Sequence, residues 1–407
     1  MNQKTSREKQ LRQQKTKNGW LWTALTAVLL VTSVLGNVVM GTLLYSRFSS
    51  GGGDSYSAVQ AERERLAAAY ETVSGQYDSL SAAYDEMSER IQSQSEELER
   101  VQAERDELKR QLENDLLEEY AAQIDNLVQN VPYWFDAAGN FVKKEFTAGE
   151  PAGYTRASIS VCYEDLESGR SWSCGGDMSY YSASLIKAPY VYSLLCEFAE
   201  ARANKEPGSD LGIYDWDRIV TLTDAMKMNG SGTLKNMSAG TQLTVKELMQ
   251  YAIEVSDNTA FKYLRDTYGY DFFYKKAKDL GVSSVYEGSF DTLSAEDACV
   301  FLRAIYEFAS ENDTEGQMLL DSMKKANYTV LIPQAAGDTE TAHKYGWDAK
   351  AYHDMAIVMD ERPYVLCIMT NFNFSENSMY REDINTYLRE IITKVMEYHK
   401  QAATVDS

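Results

Sequence analysis

Ser184-Leu185-Ile186-Lys187 places a hydroxyl and an amine three residues apart, in the first turn of an apolar helical run that ends near Phe198. Positions i and i+3 share one face of a helix, so the two side chains can meet. Serine is a weak nucleophile at neutral pH and needs a base beside it. Lysine can be that base if burial or a second cation lowers its pKa. A helix N-terminus also turns backbone N–H groups toward the same point, where an oxyanion could be held. Taken alone, the pair fits an ordinary helix start with a solvated lysine equally well. Upstream, the period-2 stretch Ala157–Glu164 and the segment Glu167-Ser168-Gly169-Arg170 read as strand and tight turn, with Gly169 in the left-handed position.

Two further triplets follow in order. Ser256-Asp257-Asn258 lies 72 residues after Ser184, at the end of a helix opened by the capping box Thr244-Val-Lys-Glu247. Lys344-Tyr345-Gly346 lies 88 residues later, in a strand-like run. The order S-x-x-K, S-D-N, K-x-G resembles the class A β-lactamases and the related penicillin-binding proteins. Gly230-Ser-Gly-Thr-Leu234, Gly240-Thr-Gln-Leu-Thr244 and Leu293-Ser-Ala-Glu-Asp297 resemble that family as well.

The resemblance implies that Ser184 is acylated and that Lys187 takes its proton. Ser256 would relay protons, and Lys344 would supply positive potential as the fourth catalytic group. Asn258, Tyr345, Gly346 and Trp347 would lie on the substrate side. Asn258 would bond the substrate amide, and the N–H groups of Ser184 and Trp347 would form the oxyanion hole. Asp257 would brace its loop. The implied fold is α+β: an antiparallel sheet between helices, with a helical subdomain from about Glu197 to Thr292.

Two departures qualify the implied activity. Tyr345 stands where a small hydroxyl helps bind a carboxylate, and its bulk is expected to close or reshape that subsite. The E-x-x-L-N loop of hydrolytic β-lactamases is missing between Lys278 and Thr292. Glu287 and Asp291 are the acids left there, and both read as solvated loop residues. Water attack on an acyl-enzyme should then be slow. His343 neighbours Lys344, and strand neighbours face opposite sides, so it reads as structural.

The rest of the 407 residues concerns placement. Residues 1–19 carry six Lys or Arg against Glu8 alone, a charge of +5, which leaves −26 for the remainder of a chain whose total is −21. So acidic a body argues against nucleic acid as a partner. Trp20 to Tyr45 contains no charged side chain. Those 26 residues span roughly 39 Å as a helix and read as a retained transmembrane anchor. The basic flank keeps the N-terminus inside, a type II topology with the catalytic domain outside.

Residues 46–58 read as a linker, with a hinge at Gly51-Gly52-Gly53. Heptads follow in a stalk assigned to 59–129: Tyr70, Tyr77, Tyr84, Ile91, Leu98 and Leu112 at a, and Val59, Leu66, Val73, Leu80, Met87, Val101 and Leu108 at d. Arg105 and Gln94 break the seam. A coiled-coil homodimer or trimer is expected.

Residues 131–400 form the hydrolase domain. Five cysteines without a C-x-x-C and three histidines without H-E-x-x-H call for no metal or other cofactor. Cys162 and Cys174 are a candidate cross-strand disulfide, if Glu167-Ser168-Gly169 is a three-residue loop. The reading is a membrane-anchored extracytoplasmic serine hydrolase acting on a small-molecule or peptide amide or ester. A D-alanyl peptidase on cell-wall peptide, a non-catalytic penicillin or cell-wall receptor, and a scaffold built on the coil remain alternatives.

Overall fold

The structure is a computed structural model that describes residues 40–41, 54–144, 152–207, 209–372 and 382–406. The uncharged run from Trp20 to Tyr45 lies outside the described residues except for 40–41, as does the Gly51-Gly52-Gly53 hinge. Among the described residues, no helix is long and apolar enough to cross a membrane.

The first element is a single 76-residue helix, α1 (Asp54–Gln129). It opens within the stretch read as a linker and ends just before Val131-Pro132, where the proline disfavours helical backbone in the residue ahead of it. The chain through Glu104 forms one compact unit and the chain from Arg105 a second. In the first unit the heptad residues Leu66, Tyr70, Val73, Leu80, Met87, Ile91 and Leu98 are all exposed. Arg100 pairs along the helix with Glu97 and Glu104.

The second unit is three-layered. Strands β1 (Tyr133–Asp136), β2 (Phe141–Lys143) and β3 (Tyr154–Arg156) make a small sheet in the order β2-β1-β3. The main sheet uses β4 (Ile159–Asp165) and β5 (Ser171–Cys174). After them come β6 (Ser179–Tyr181), a 3-10 turn (Ala183–Ile186) and α2 (Lys187–Ala203). The helical insertion contains the β7 (Ile219–Thr221) and β8 (Gln242–Thr244) ribbon, α3 (Val245–Glu254), α4 (Asn258–Tyr268) and α5 (Asp271–Asp279). The chain closes through β9 (Thr292–Ser294), α6 (Ala295–Glu311), α7 (Glu315–Lys324), α8 (Ile332–Ala336), β10 (Thr341–Asp348), β11 (Ala351–Val358), β12 (Tyr364–Thr370) and α9 (Glu382–Asp406).

The five-stranded sheet is antiparallel throughout, in the order β10-β11-β12-β4-β5. Alternate residues of its strands feed two cores. Cys162, Met355, Ile357, Val365 and Cys367 pack with α2, α3, α6 and α7. Val161, Tyr163, Ala356, Leu366 and Ile368 pack with the end of α1 (Tyr120, Ile124, Val128) and with Leu388, Ile391 and Val395 of α9. Covering both faces explains why β4, β11 and β12 are buried along their whole length. Glu113 on α1 is itself buried and pairs with Arg170 at the β4–β5 turn. Thr244 caps α3 in the capping box read from the sequence, its hydroxyl accepting from Glu247 N and its own N–H donating to the Glu247 carboxylate.

The Cys162–Cys174 disulfide is a correction. All five cysteines are free. Arg170 O accepts from Asp165 N, and the Asp165 carboxylate accepts from Glu167 N and Ser168 N, so the loop holds four residues rather than three. Gly169 does take the left-handed position, with φ +72. The register therefore pairs Val161 with Cys174 and Cys162 with Ser173. One residue of slip sends the two sulfurs to opposite faces of the sheet, Cys162 to the α2 side and Cys174 to the α9 side.

Candidate active site

The turn that presents Ser184 is held from three directions. Ser182 donates through both its backbone N–H and its hydroxyl to Asp291 O, at 2.8 and 2.9 Å. Ala183 then takes a left-handed φ of +48, unfavourable for a side chain with a Cβ and costing about 1–2 kcal/mol. Gly346 of β10 packs against this turn so closely that a Cβ there would stand 2.6 Å from Ser182 O and 2.8 Å from Leu185 N. The strand can approach the backbone of the Ser184 turn only with glycine at this position. Sequence reasoning did not single out His353, which also supports the turn. Its Nδ1 accepts from Thr370 N, so its Nε2 donates to Tyr181 O at 2.9 Å. Burial lowers its pKa to about 4, which keeps the ring neutral in that role.

Lys187 is buried at the start of α2. Its Nζ lies 2.6 Å from Ser256 O, 3.1 Å from Ser256 Oγ and 2.8 Å from Asn258 Oδ1. Lys344 approaches the same Ser256 hydroxyl from β10, with Nζ 3.1 Å from Oγ and 3.0 Å from Tyr345 O. Two amines thus flank one serine hydroxyl in a site shielded from water. Burial is the larger influence on both. It lowers Lys187 to about 7, with Asp257 opposing and Arg265 adding to the depression. It holds Lys344 well below the usual lysine range, with the Lys187 charge acting in the same direction.

Ser256 is itself strained, with φ +52, and its loop is braced by Asp257. That carboxylate accepts from Thr233 N at 2.6 Å and Leu234 N at 2.8 Å, and caps α4 through Ala260 N at 2.9 Å. A Cβ at Gly232 would collide with Asp257, and one at Gly230 with the Asn258 amide. Asn258 donates from Nδ2 to Asn229 O, which fixes its Oδ1 toward Lys187. The Gly230–Leu234 stretch is thus the other half of the clamp that orients the S-D-N side chains.

On β10, His343 faces away from the amines. Its Nδ1 meets Asp354 Oδ1 at 3.1 Å and its Nε2 meets Ala326 O at 3.1 Å. Tyr345 is buried beside Ser256 rather than in the open cavity. Its hydroxyl donates to Asn327 Oδ1 at 2.7 Å, and its ring packs on Tyr328 and Trp347. Burial raises its phenol pKa, and a hydrogen bond with Ser256 opposes the rise. Asn327 and Tyr328 carry no motif and were invisible in the sequence, although they position the third triplet.

Ser184, Lys187, Asn258 and Trp347 line one cavity of 340 Å³. Ser256, Lys344 and Tyr345 stand behind it, and Gly346 packs on the turn. Glu287 and Asp291 are both exposed, as read; Glu287 lies on the turn closed by Tyr286 and Ser289, and Asp291 also lines the cavity. Tyr181, Arg265 and Asp348 also reach the cavity without any motif to announce them. Among the described residues, no cluster of His, Cys, Asp and Glu could hold a metal ion.

This arrangement is that of a β-lactamase-like serine hydrolase domain. The model of the Beta-lactamase enzyme family matches residues 142–396, and the chain belongs to that family. Among solved structures it is similar to PBP-A, with a TM-score of 0.55 and 20% identity over 70% of this chain and 97% of that one. It is similar to a β-lactamase from Burkholderia vietnamiensis, with a TM-score of 0.51 and 17% identity over 60% and 92% of the two chains. It is also similar to a class A β-lactamase from Mycobacterium abscessus, with a TM-score of 0.50 and 19% identity over 60% and 94%. Likenesses at such identities concern the fold. No curated protein matches the chain.

A pKa depressed to about 7 means that Lys187 should lose its proton as pH rises through 7, and an amine can act as a base only when neutral. Stopped-flow or quenched-flow acylation rates should therefore rise with a midpoint near pH 7 and level off above it. A rate that is flat from pH 5 to 9 would exclude Lys187 as the base.

Proposed function

We propose that this chain forms an acyl-enzyme on Ser184 with amides or esters, β-lactams or cell-wall peptides among them, from a catalytic domain tethered outside the cytoplasmic membrane. The carrying observation is the convergence of the Lys187 and Lys344 amines on Ser256, with Lys187 lining the same cavity as Ser184. Neutral Lys187 takes the hydroxyl proton as Ser184 attacks the carbonyl. Its bonds to Ser256 O and Asn258 Oδ1 hold the amine in place, leaving a lone pair for that proton. Ser256, between the two amines, passes a proton to the leaving group. Lys344 supplies positive potential as the tetrahedral oxyanion forms, and the backbone N–H groups of Ser184 and Trp347 receive that oxyanion.

Release of the acyl group should be slow. The E-x-x-L-N loop is missing, and the segment before β9 brings Phe290 and Asp291 to the cavity instead. A neighbouring fold, a point mutant of PBP-A, has been captured as an acyl-enzyme complex with penicillin-G. A trapped adduct favours the alternative of a peptidase-like or penicillin-binding protein over an efficient β-lactamase.

Mass spectrometry of the chain incubated with a fluorescent penicillin should show one adduct on Ser184. Ser184→Ala should abolish it, and Lys187→Ala should slow labelling about 10²–10⁴-fold. Rapid turnover of nitrocefin would show that Asp291 or another group activates water. Label retained in Ser184→Ala would remove the serine as nucleophile and leave the receptor alternative.

Anchoring rests on the uncharged run Trp20–Tyr45 behind a basic tip, and self-association on the exposed apolar seam of α1. Cross-linking on intact cells, followed by external protease, tests both together. The expected outcome is a dimer or trimer band whose hydrolase domain is shaved away. A protected domain contradicts the topology, and a monomer band contradicts the coil.

A further inference from the structure

Arg265 lies on α4, two turns after Asn258, and lines the cavity that holds Ser184 and Lys187. Its guanidinium sits 4.9 Å from the Phe261 ring centroid and 5.5 Å from that of Phe290. Lys187 Nζ lies 5.6 Å from the same Phe261 ring. Two aromatic faces therefore fix the guanidinium without using any of its N–H donors. Among the described residues Arg265 makes no side-chain hydrogen bond and no ion pair, and its Nε is buried without an acceptor. Buried donors left unpaired are unfavourable, and a guanidinium offers them in a rigid fork that matches a carboxylate two at a time.

The other cations near Ser184 are committed. Lys187 Nζ is held by Ser256 O, Ser256 Oγ and Asn258 Oδ1, and Lys344 by Ser256 Oγ and Tyr345 O. On the β10 side, Tyr345 is buried behind the cavity, packed on Tyr328 and Trp347. At the cavity mouth, Tyr181 donates to Asp348 at 3.5 Å, and Asp291 stands near by. Both acids and Arg265 lie close enough to Tyr181 to influence its phenol, and neither acid pairs with the arginine. The free positive charge of the cavity is thus on the α4 side, between Phe261 and Phe290.

We propose that Arg265 anchors a carboxylate of the acyl donor, so that the site takes anionic amides or esters in preference to neutral ones, with the anion lodged on α4 and not on β10. This rests on the acyl-enzyme reading above. The probes are two acyl thioesters of equal length, one with a carboxylate on its acyl half and the other with the isosteric amide. Acylation is followed by mass spectrometry at pH 9, well above the value near 7 to which burial lowers Lys187.

The native chain should be acylated roughly 10- to 100-fold faster by the acid than by the amide, as expected for a charge-assisted hydrogen-bonded pair. In Arg265→Met the ratio should fall to near one, and Arg265→Lys should keep part of it. Equal rates with the two thioesters in the native chain, or an unchanged ratio in Arg265→Met or Arg265→Lys, overturn the anchor while leaving Ser184 as nucleophile. No adduct from either thioester overturns the acyl-enzyme reading itself.

Discussion

The structure depends on one hydroxyl held between two buried amines. Ser256 Oγ is 3.1 Å from Lys187 Nζ and 3.1 Å from Lys344 Nζ. Charging both amines at that spacing, away from water, is unfavourable twice over, through lost hydration and through mutual repulsion. The site escapes that cost by holding protons loosely. A lysine in its ordinary range would be useless as a base near neutral pH, whereas one lowered to about 7 is poised between its two forms.

Much of the surrounding fold keeps that spacing. α2 delivers Lys187, α4 begins at Asn258 and β10 delivers Lys344, so three elements far apart in sequence must be fixed against each other. Asp257 ties the Ser256 loop to Thr233 and Leu234. Gly346 lets the edge strand touch the turn at Ser182 and Leu185. His343 and Asp354 hold the segment that carries Asn327 and Tyr328, and Asn327 in turn receives the Tyr345 hydroxyl. Among the described residues, left-handed Ala183, Ser256 and Tyr328 are the strain that remains. Backbone strain of this kind persists only where neighbouring contacts over-determine it.

The three triplets were legible because each is a local word: S-x-x-K on a helix start, S-D-N after a capped helix, K-x-G on a strand. The capping box and the left-handed Gly169 were legible for the same reason. What failed depended on register or on packing between distant segments. Counting the β4–β5 loop as three residues rather than four moved Cys162 across the sheet. Tyr345 was expected at the carboxylate subsite, yet its ring turns back onto Tyr328 and Trp347 because Asn327 waits there for its hydroxyl. Arg265, Asp348 and Tyr181 reach the cavity by tertiary packing alone, and no spacing in the sequence marks them.

The central claim is that Lys187 titrates near neutral pH in the resting site. Selective ¹³C labelling of the lysine Cε carbons, with Lys187→Arg to assign the signal, measures its titration directly. The account predicts a midpoint near pH 7 for Lys187, far from the solvated lysines of the same spectrum. A Lys187 midpoint above about pH 10, the ordinary lysine range, would contradict it, because the amine beside Ser184 would then be charged whenever the protein works.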